Sequence, residues 1–321
     1  SSYNGVPGIK PTNGLLSRAG IIPRILSFDT GGPMARSVYD VALSLGFMTG
    51  VDPDDALTRT SAGLFHTDYT VFLKKDSLRG ARLGIIRDNA GLDPEVDAIL
   101  DKAVADLKAQ GAIVIDDLHY PEHVLAARPG IMAAIGDSDI REQYALYMAT
   151  LKPGYPKTLT EMIERADSLK APKGKITPYP ELYNKFKKNN AGPPSTSLSY
   201  QAAKHGMAMV RDGVLSVFEK HQLDAIVYLT RPKAAPLISE IDKVKGSAIP
   251  SLTNIANITQ FPDVIVPAGL TKAKLPVTIS FLGPAYSEPR LLAYAYAYEQ
   301  ATRHFALPGT TPPLPGETIT Y

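Results

Sequence analysis

The residue types that can do chemistry are thinly spread in this chain. It has six histidines and no cysteine. His119-Tyr120-Pro121-Glu122-His123 matches the H-x-x-E-H spacing of one class of zinc peptidases. That motif needs both histidines on one face of a continuous helix, and Pro121 favours a helix that starts there and leaves His119 outside it. Gly136-Asp137-Ser138 and Asp116-x-x-His119 imitate the nucleophile and acid–base blocks of a lipase-like serine hydrolase. Their order along the chain is wrong, and Ser138 falls inside a helical pattern. Ser1 offers another route, an N-terminal Ser using its own α-amine as base. Gly174-Lys175-Ile176-Thr177 lacks the earlier Gly that a phosphate-binding loop needs. The carboxylate pairs Asp54/Asp55 and Asp116/Asp117 read as turn chemistry and solvated charge. Taken alone, these residues form no self-sufficient catalytic set. No metal site and no cofactor are expected.

Composition narrows the function classes further. Of 321 residues, 44% are hydrophobic and 21% charged, the balance of a globular protein with a sizeable core. Formal net charge is +2, which gives no argument for a nucleic-acid partner. The richest basic stretch, Lys185-Phe186-Lys187-Lys188, reads as a solvated helix end. No run approaches 18 apolar residues, so no membrane span is expected, and a cytoplasmic location is the working expectation.

The elements that must position any site follow from periodicity. Residues 1–32 carry six glycines and read as loops and short strands. A helix is predicted from Pro33, with Val38, Val41, Ala42, Leu45 and Met48 as its buried stripe and Gly50 as its stop. A β-α-β unit follows. Strand 82–86 leads to a helix capped by Asp93 with Pro94 in its first turn, then to strand 112–115, which implies a parallel pair. Residues 118–200 read as an insertion covering the sheet, with helices at 121–128, 131–150 and 158–168. This insertion is rich in tyrosine: Tyr144, Tyr147, Tyr155, Tyr179 and Tyr183. A long helix at 199–220, strands at 223–229, 262–267 and 275–281, and a helix at 288–305 complete the chain. Val264-Ile265-Val266 is too apolar for a half-exposed strand, so both faces of the sheet should be covered.

The glycine- and proline-rich opening carries more than turn signals. Three of its blocks are Gly5-Val6-Pro7-Gly8-Ile9-Lys10-Pro11-Thr12, then Gly14 through Ser17-Arg18-Ala19-Gly20-Ile21-Ile22-Pro23, then Asp29-Thr30-Gly31-Gly32-Pro33-Met34-Ala35-Arg36. Gly50-Val51-Asp52-Pro53-Asp54-Asp55 comes next. In this order and spacing they resemble the amidase signature family. Asn257-Ile258-Thr259-Gln260-Phe261-Pro262 with Val266-Pro267-Ala268-Gly269, and Leu275-Pro276 to Gly283-Pro284, resemble two further blocks of it. Only about 120–250 lacks motif support. Two departures stand out: Gln260 where Gly is usual, and Gly31-Gly32 where Thr-Pro-Gly is common.

The resemblance implies an α/β fold with a mixed, twisted central sheet covered by helices on both faces. Its signature flank and β-α-β unit would occupy 1–117, the insertion 118–200 and the C-terminal part of the core 201–321. It also implies hydrolysis of a carboxylic amide through an acyl-enzyme on a Ser, with a cis-bonded second Ser and a Lys as proton relay. The matching segments place that triad upstream of Ser1, so the N-terminal part is expected to be missing from this chain and Lys10 does not take the Lys role. The partners implied are a small-molecule amide and the missing segment or chain, with a homodimer among the assemblies open to it. Tyr3, Ile22, Arg24, Ile25 and Gln260 are the expected substrate-binding residues, while Asp29 and Thr30 are read as bracing the backbone. The alternatives are an N-terminal-Ser hydrolase and a non-catalytic binding remnant.

Overall fold

The computed structural model of the chain describes residues 1–169, 180–237 and 251–307. Six strands form one sheet: β1 (Gly8–Lys10), β2 (Arg82–Ile86), β3 (Ile113–Leu118), β4 (Ala225–Leu229), β5 (Asp263–Leu270) and β6 (Pro276–Leu282). Their order across the sheet is β1-β5-β6-β4-β2-β3. β2 pairs parallel with β3 and with β4, while β1/β5, β5/β6 and β4/β6 are antiparallel. The sheet is therefore mixed, and the parallel half is the β-α-β unit read from sequence.

Helices cover both faces, and the period-two alternation of the strands divides the core between them. Val227 and Leu229 of β4 belong to one cluster, and Ile226 and Tyr228 to the other. The first cluster packs beneath α1 (Val38–Met48), α2 (Pro94–Ala109) and the final helix α8 (Glu288–Thr302). The second packs beneath α3 (Glu122–Ala149), α6 (Leu198–His221) and the short α7 (Thr253–Thr259). A satellite cluster of Ile140, Leu159, Ile163 and Tyr183 joins α3 to α4 (Leu159–Leu169) and α5 (Pro180–Asn190).

Two sequence expectations need correction. First, α1 begins at Val38 rather than at Pro33, because Ser37 is extended and its hydroxyl caps the Asp40 N–H. Its Val38, Val41, Ala42 and Leu45 are buried, but Met48 is 46% exposed. The Gly31-Gly32-Pro33 segment instead runs against β1. Pro33 O accepts from Ile9 N at 3.2 Å, and a Cβ on Gly32 would stand 2.0 Å from Ile9 O, so only glycine fits there.

Second, the helices expected at 121–128 and 131–150 are one helix that runs through Pro129. Pro129 has no N–H for the Leu125 carbonyl. The Arg128 Nε donates to that carbonyl at 3.3 Å, and its Nη1 donates to Ser251 O at 3.0 Å and Asn254 Oδ1 at 2.9 Å. The gap that would break the helix becomes its tie to α7.

Two of the insertion's tyrosines pack it together, and a third is exposed. Tyr144 meets Phe186 edge-on at 5.4 Å between centroids, Tyr183 sits in the satellite cluster, and Tyr155 is 61% exposed. Tyr179 lies outside the described residues.

Candidate functional site

The loop between β1 and α1 has little regular structure, so its shape must come from side chains and caps. Arg18 organises its first half. Its Nε and Nη2 donate to the two Asp55 oxygens, each at 2.7 Å, in a fork-to-fork pair, and its Nη1 donates to Leu26 O at 2.8 Å. This corrects the reading of Asp55 as a solvated turn carboxylate: it is 8% exposed. The hydrogen bonds from Arg18 outweigh burial and hold the Asp55 carboxyl down at about 2.

Asp29 organises the second half. Its Oδ2 accepts from the backbone N–H groups of Arg24 and Ile25, both at 2.7 Å. The bracing role expected of Asp29 is thus given specific partners. The loop is then pinned to its surroundings from two sides. Gln143 of α3 accepts from Leu26 N at 2.7 Å, and Gln260 Nε2 donates to Ser27 O at 3.1 Å.

The braced loop walls a cavity of about 500 Å³. Ile21, Ile22, Ile25 and Phe28 supply its apolar side together with Met132 of α3. Lys10, Arg24, Asp29 and Asn257 supply polar groups. Three of the five expected binding residues, Ile22, Arg24 and Ile25, therefore line one cavity. Ile25 is buried at 8%, whereas Ile22 is 61% exposed. A second cavity adjoins it, sharing Arg18, Ile21 and Leu26 and adding Leu146 and Tyr147 of α3.

The other two expected residues lie elsewhere. Tyr3 lines a separate cavity with Leu270 and Pro276, and the Arg231 guanidinium stands over its ring at 5.4 Å. Gln260 caps the C-terminal end of α7 in the left-handed region, φ 64° and ψ 18°. That is why glycine is usual at this position: no Cβ penalty arises there. Its side chain also accepts from Arg211 Nη2 at 3.2 Å, so it ties α6 and α7 to the loop.

Lys10 sits where β1 meets β5, paired in register with Asp263. Its ammonium donates to Pro11 O and Phe261 O at 3.0 Å and to Asn13 Oδ1 at 3.1 Å. Burial lowers its pKa to about 8, against the opposing pull of Asp263 and Glu288. Burial raises Asp263 to about 6, although Tyr228 donates its hydroxyl to the carboxylate. The shifts match this burial, and no hydroxyl of a Ser meets the Lys10 ammonium among the described residues.

The other motifs weighed from sequence resolve as structural contacts. Asp116 forms a two-pronged pair with Arg87 at 2.8 and 2.9 Å. His119 Nδ1 meets Asp88 at 2.7 Å and precedes α3, which starts at Glu122. Ser138 is fully buried inside α3. The Ser1 amine donates to Met34 Sδ at 3.5 Å. Sequence reasoning missed Asp55, Gln143, Met132 and Asn257. The Ser17-Arg18 block and the Asp52-Pro53-Asp54-Asp55 turn were the available signal for the first of these.

Comparison with known proteins agrees with this architecture. Among curated relatives, a probable amidase of Arabidopsis thaliana is 31% identical over 315 residues, 94% of this chain and 54% of that protein. One subunit of the glutamyl-tRNA(Gln) amidotransferase of Roseobacter denitrificans is 31% identical over 321 residues, covering 96% and 62% respectively. Among solved structures, the native peptide amidase of Stenotrophomonas maltophilia superimposes with a TM-score of 0.82 at 29% identity, over 95% of this chain and 60% of that one. A peptide amidase bound to the competitive inhibitor chymostatin gives 0.82 at 30% identity with the same coverage. The chain thus spans between half and two thirds of the length of these relatives. Among the described residues no helix is long and apolar enough to cross a membrane. The family model described as Amidase matches residues 1–292, and the chain belongs to that family.

Proposed function

We propose that this chain supplies the substrate-holding wall of an enzyme that hydrolyses a carboxylic amide C–N bond. The observation that carries the reading is the cavity beside the braced Arg18–Gly31 loop, whose lining includes Lys10, Arg18, Ile21, Ile22, Asp29 and Asn257 from the blocks that carry the signature resemblance. The seat of the acyl group is the apolar side made by Ile21, Ile22, Ile25 and Phe28. Gln260, placed elsewhere, acts on the site through the Ser27 carbonyl it holds, and Tyr3 lines a different cavity.

In this reading a Ser hydroxyl attacks the amide carbonyl and passes its proton through a second Ser to a neutral Lys. The carbonyl oxygen takes the negative charge and backbone N–H groups hold it. The C–N bond breaks as the nitrogen receives the proton, leaving an ester on the Ser. Water then cleaves the ester to the carboxylic acid and restores the Ser. The relay is assigned to residues upstream of Ser1, as the resemblance implies. In support, Ser1 contacts Met34 and does not line the cavity, and Lys10 donates to carbonyl and amide oxygens. The amidotransferase relatives keep ammonia transfer as the competing reading, since their identity equals that of the probable amidase. The openly accessible Ile21 and Ile22 favour a free small amide.

The test uses purified protein that holds this chain. Incubated with simple alkyl amides and C-terminally amidated peptides, it should release ammonia and carboxylic acid in equal amounts. A fluorophosphonate should label a single Ser that is none of Ser1, Ser2 or Ser138, as mapped by peptide mass. Absence of ammonia release would overturn the hydrolysis. An adduct on one of the three named serines would overturn the placement of the relay.

A further inference from the structure

Among the described residues, one cation on the cavity wall stands without a direct partner. Three cations line the cavity: Lys10, Arg18 and Arg24. Arg18 is spent on Asp55 in a two-pronged pair. Lys10 is spent on two carbonyls and an amide oxygen, with Asp263 and Glu288 close enough to offset its charge. Arg24 is different. Its backbone N–H is bonded, but among the described residues its guanidinium has neither an ion pair nor a hydrogen bond. The one carboxylate on the lining, Asp29, accepts two backbone N–H bonds through Oδ2 and, among the described residues, makes no ion pair with the Arg24 guanidinium.

The surroundings add positive charge. Lys185 of α5 is near enough to Arg24 that their repulsion, after burial, lowers its pKa. The carboxylate close to Lys185, Asp137, is paired with Lys188 at 3.0 Å. A guanidinium presents a planar fork of donors that fits a carboxylate at two points. Here it stands beside the apolar side chains of Ile22, Ile25 and Phe28, where a bound molecule would shield it from water.

We propose that this cavity takes amides bearing a carboxylate on the acyl chain, with Arg24 as the residue that binds it and Ile22, Ile25 and Phe28 as the apolar span between carboxylate and amide. The proposal rests on reading the cavity as the acyl site. Free and neutral amides of the same length lack the group that Arg24 selects. Lys185 adds long-range attraction and makes no required contact.

Binding tests this without depending on turnover. The probes are the monoamides of glutaric and adipic acid, against pentanamide and hexanamide, titrated calorimetrically into the protein. The parent should bind each carboxylated probe at least tenfold more tightly than its neutral partner. R24Q should bring that ratio close to one, and R24K should keep part of it, since an ammonium retains the charge and loses the fork. Raising salt should erode the parent's ratio. Equal binding of the two probe classes by the parent, or a ratio that survives in R24Q, would overturn the proposal. An unchanged circular dichroism spectrum and melting temperature in R24Q confirm that the comparison is between folded proteins. If an Arg24-dependent ratio is found while no amide is hydrolysed, the catalytic reading falls and this assignment stands.

Discussion

At the residue scale, Asp55 shows how one carboxylate outside a cavity's lining can shape that cavity. It receives Arg18 on both oxygens and so fixes the start of the loop that walls the cavity. Its folded pKa of about 2 lies below the ordinary 3.8. A depressed carboxyl stabilises the fold fully above the unfolded value and loses that stabilisation as pH falls through the folded one. The window is therefore pH 4 down to 2, and the contribution is about 2 kcal/mol at neutral pH. Asp55→Asn should cost about 3 kcal/mol, because Arg18 is left buried without its counter-charge. Urea midpoints measured at pH 7 and across the acid window check both statements: the variant should lose stability at pH 7 and show a flatter acid limb. This residue was half legible in the sequence. Asp52-Pro53-Asp54-Asp55 announced a turn, but a turn carboxylate and an ion-pair carboxylate look alike until Arg18, 37 residues earlier, is brought beside it. Tyr3 was expected near the site from closeness along the chain alone; its ring lines a different cavity from the loop residues and stands beside Arg231.

At the scale of elements, the most legible pieces are those whose signals are local. Asp93 caps α2 by accepting from Glu95 and Val96, as a cap followed by proline predicts. β2, α2 and β3 fall where periodicity put them. What failed was punctuation with a non-local answer. Pro129-Gly130 reads as a helix break, and the Arg128 side chain alone shows why there is none. Its Nε takes the carbonyl that proline abandons, while its Nη1 holds α7. Arg128→Met keeps the length and removes these three bonds. It should lower stability by about 3 kcal/mol at roughly 1 kcal/mol per bond. Pro129→Ala returns a backbone donor to Leu125 and should relieve part of that loss when combined with it. Guanidinium chloride unfolding of the two single variants and the double variant gives the three numbers. A full loss retained in the double variant would show that Arg128 acts only through α7.

At the scale of the whole molecule, the β1/β5 edge of the sheet carries a buried polar cluster. Lys10 of β1 faces Asp263 of β5 in register, and Glu288 at the start of α8 accepts from Thr12 N at 2.6 Å. Both partners of the cross-strand pair bear the cost of burial: Lys10 is lowered to about 8 and Asp263 raised to about 6. The signs follow. Between pH 4 and 6 the folded state keeps a proton on Asp263 that the unfolded chain has lost, so stability falls as pH rises there. Between pH 8 and 10.5 the unfolded chain holds a proton that folded Lys10 has released, so stability rises. Lys10→Met or Asp263→Leu alone should cost about 3 kcal/mol, and the double variant less than the sum, because neither charge is then stranded. A double-mutant cycle by chemical denaturation measures the coupling, and strict additivity would refute it. The fold class was readable from the β-α-β unit and the signature blocks. The strand order was not, since nothing local tells β1 that its partner is β5.

That pairing also sets a timetable for the chain as it is made. The first strand cannot be completed until its partner arrives: Phe261, whose carbonyl Lys10 binds, is 251 residues further on. At about 5–20 residues per second the ribosome needs roughly 10 to 50 s to deliver it. Throughout that interval β1 lacks its β5 partner, and Asn257 is absent from the cavity lining. The site is therefore among the last parts of the molecule to exist, and a chaperone that shelters nascent strands would have its longest task at residues 8–10.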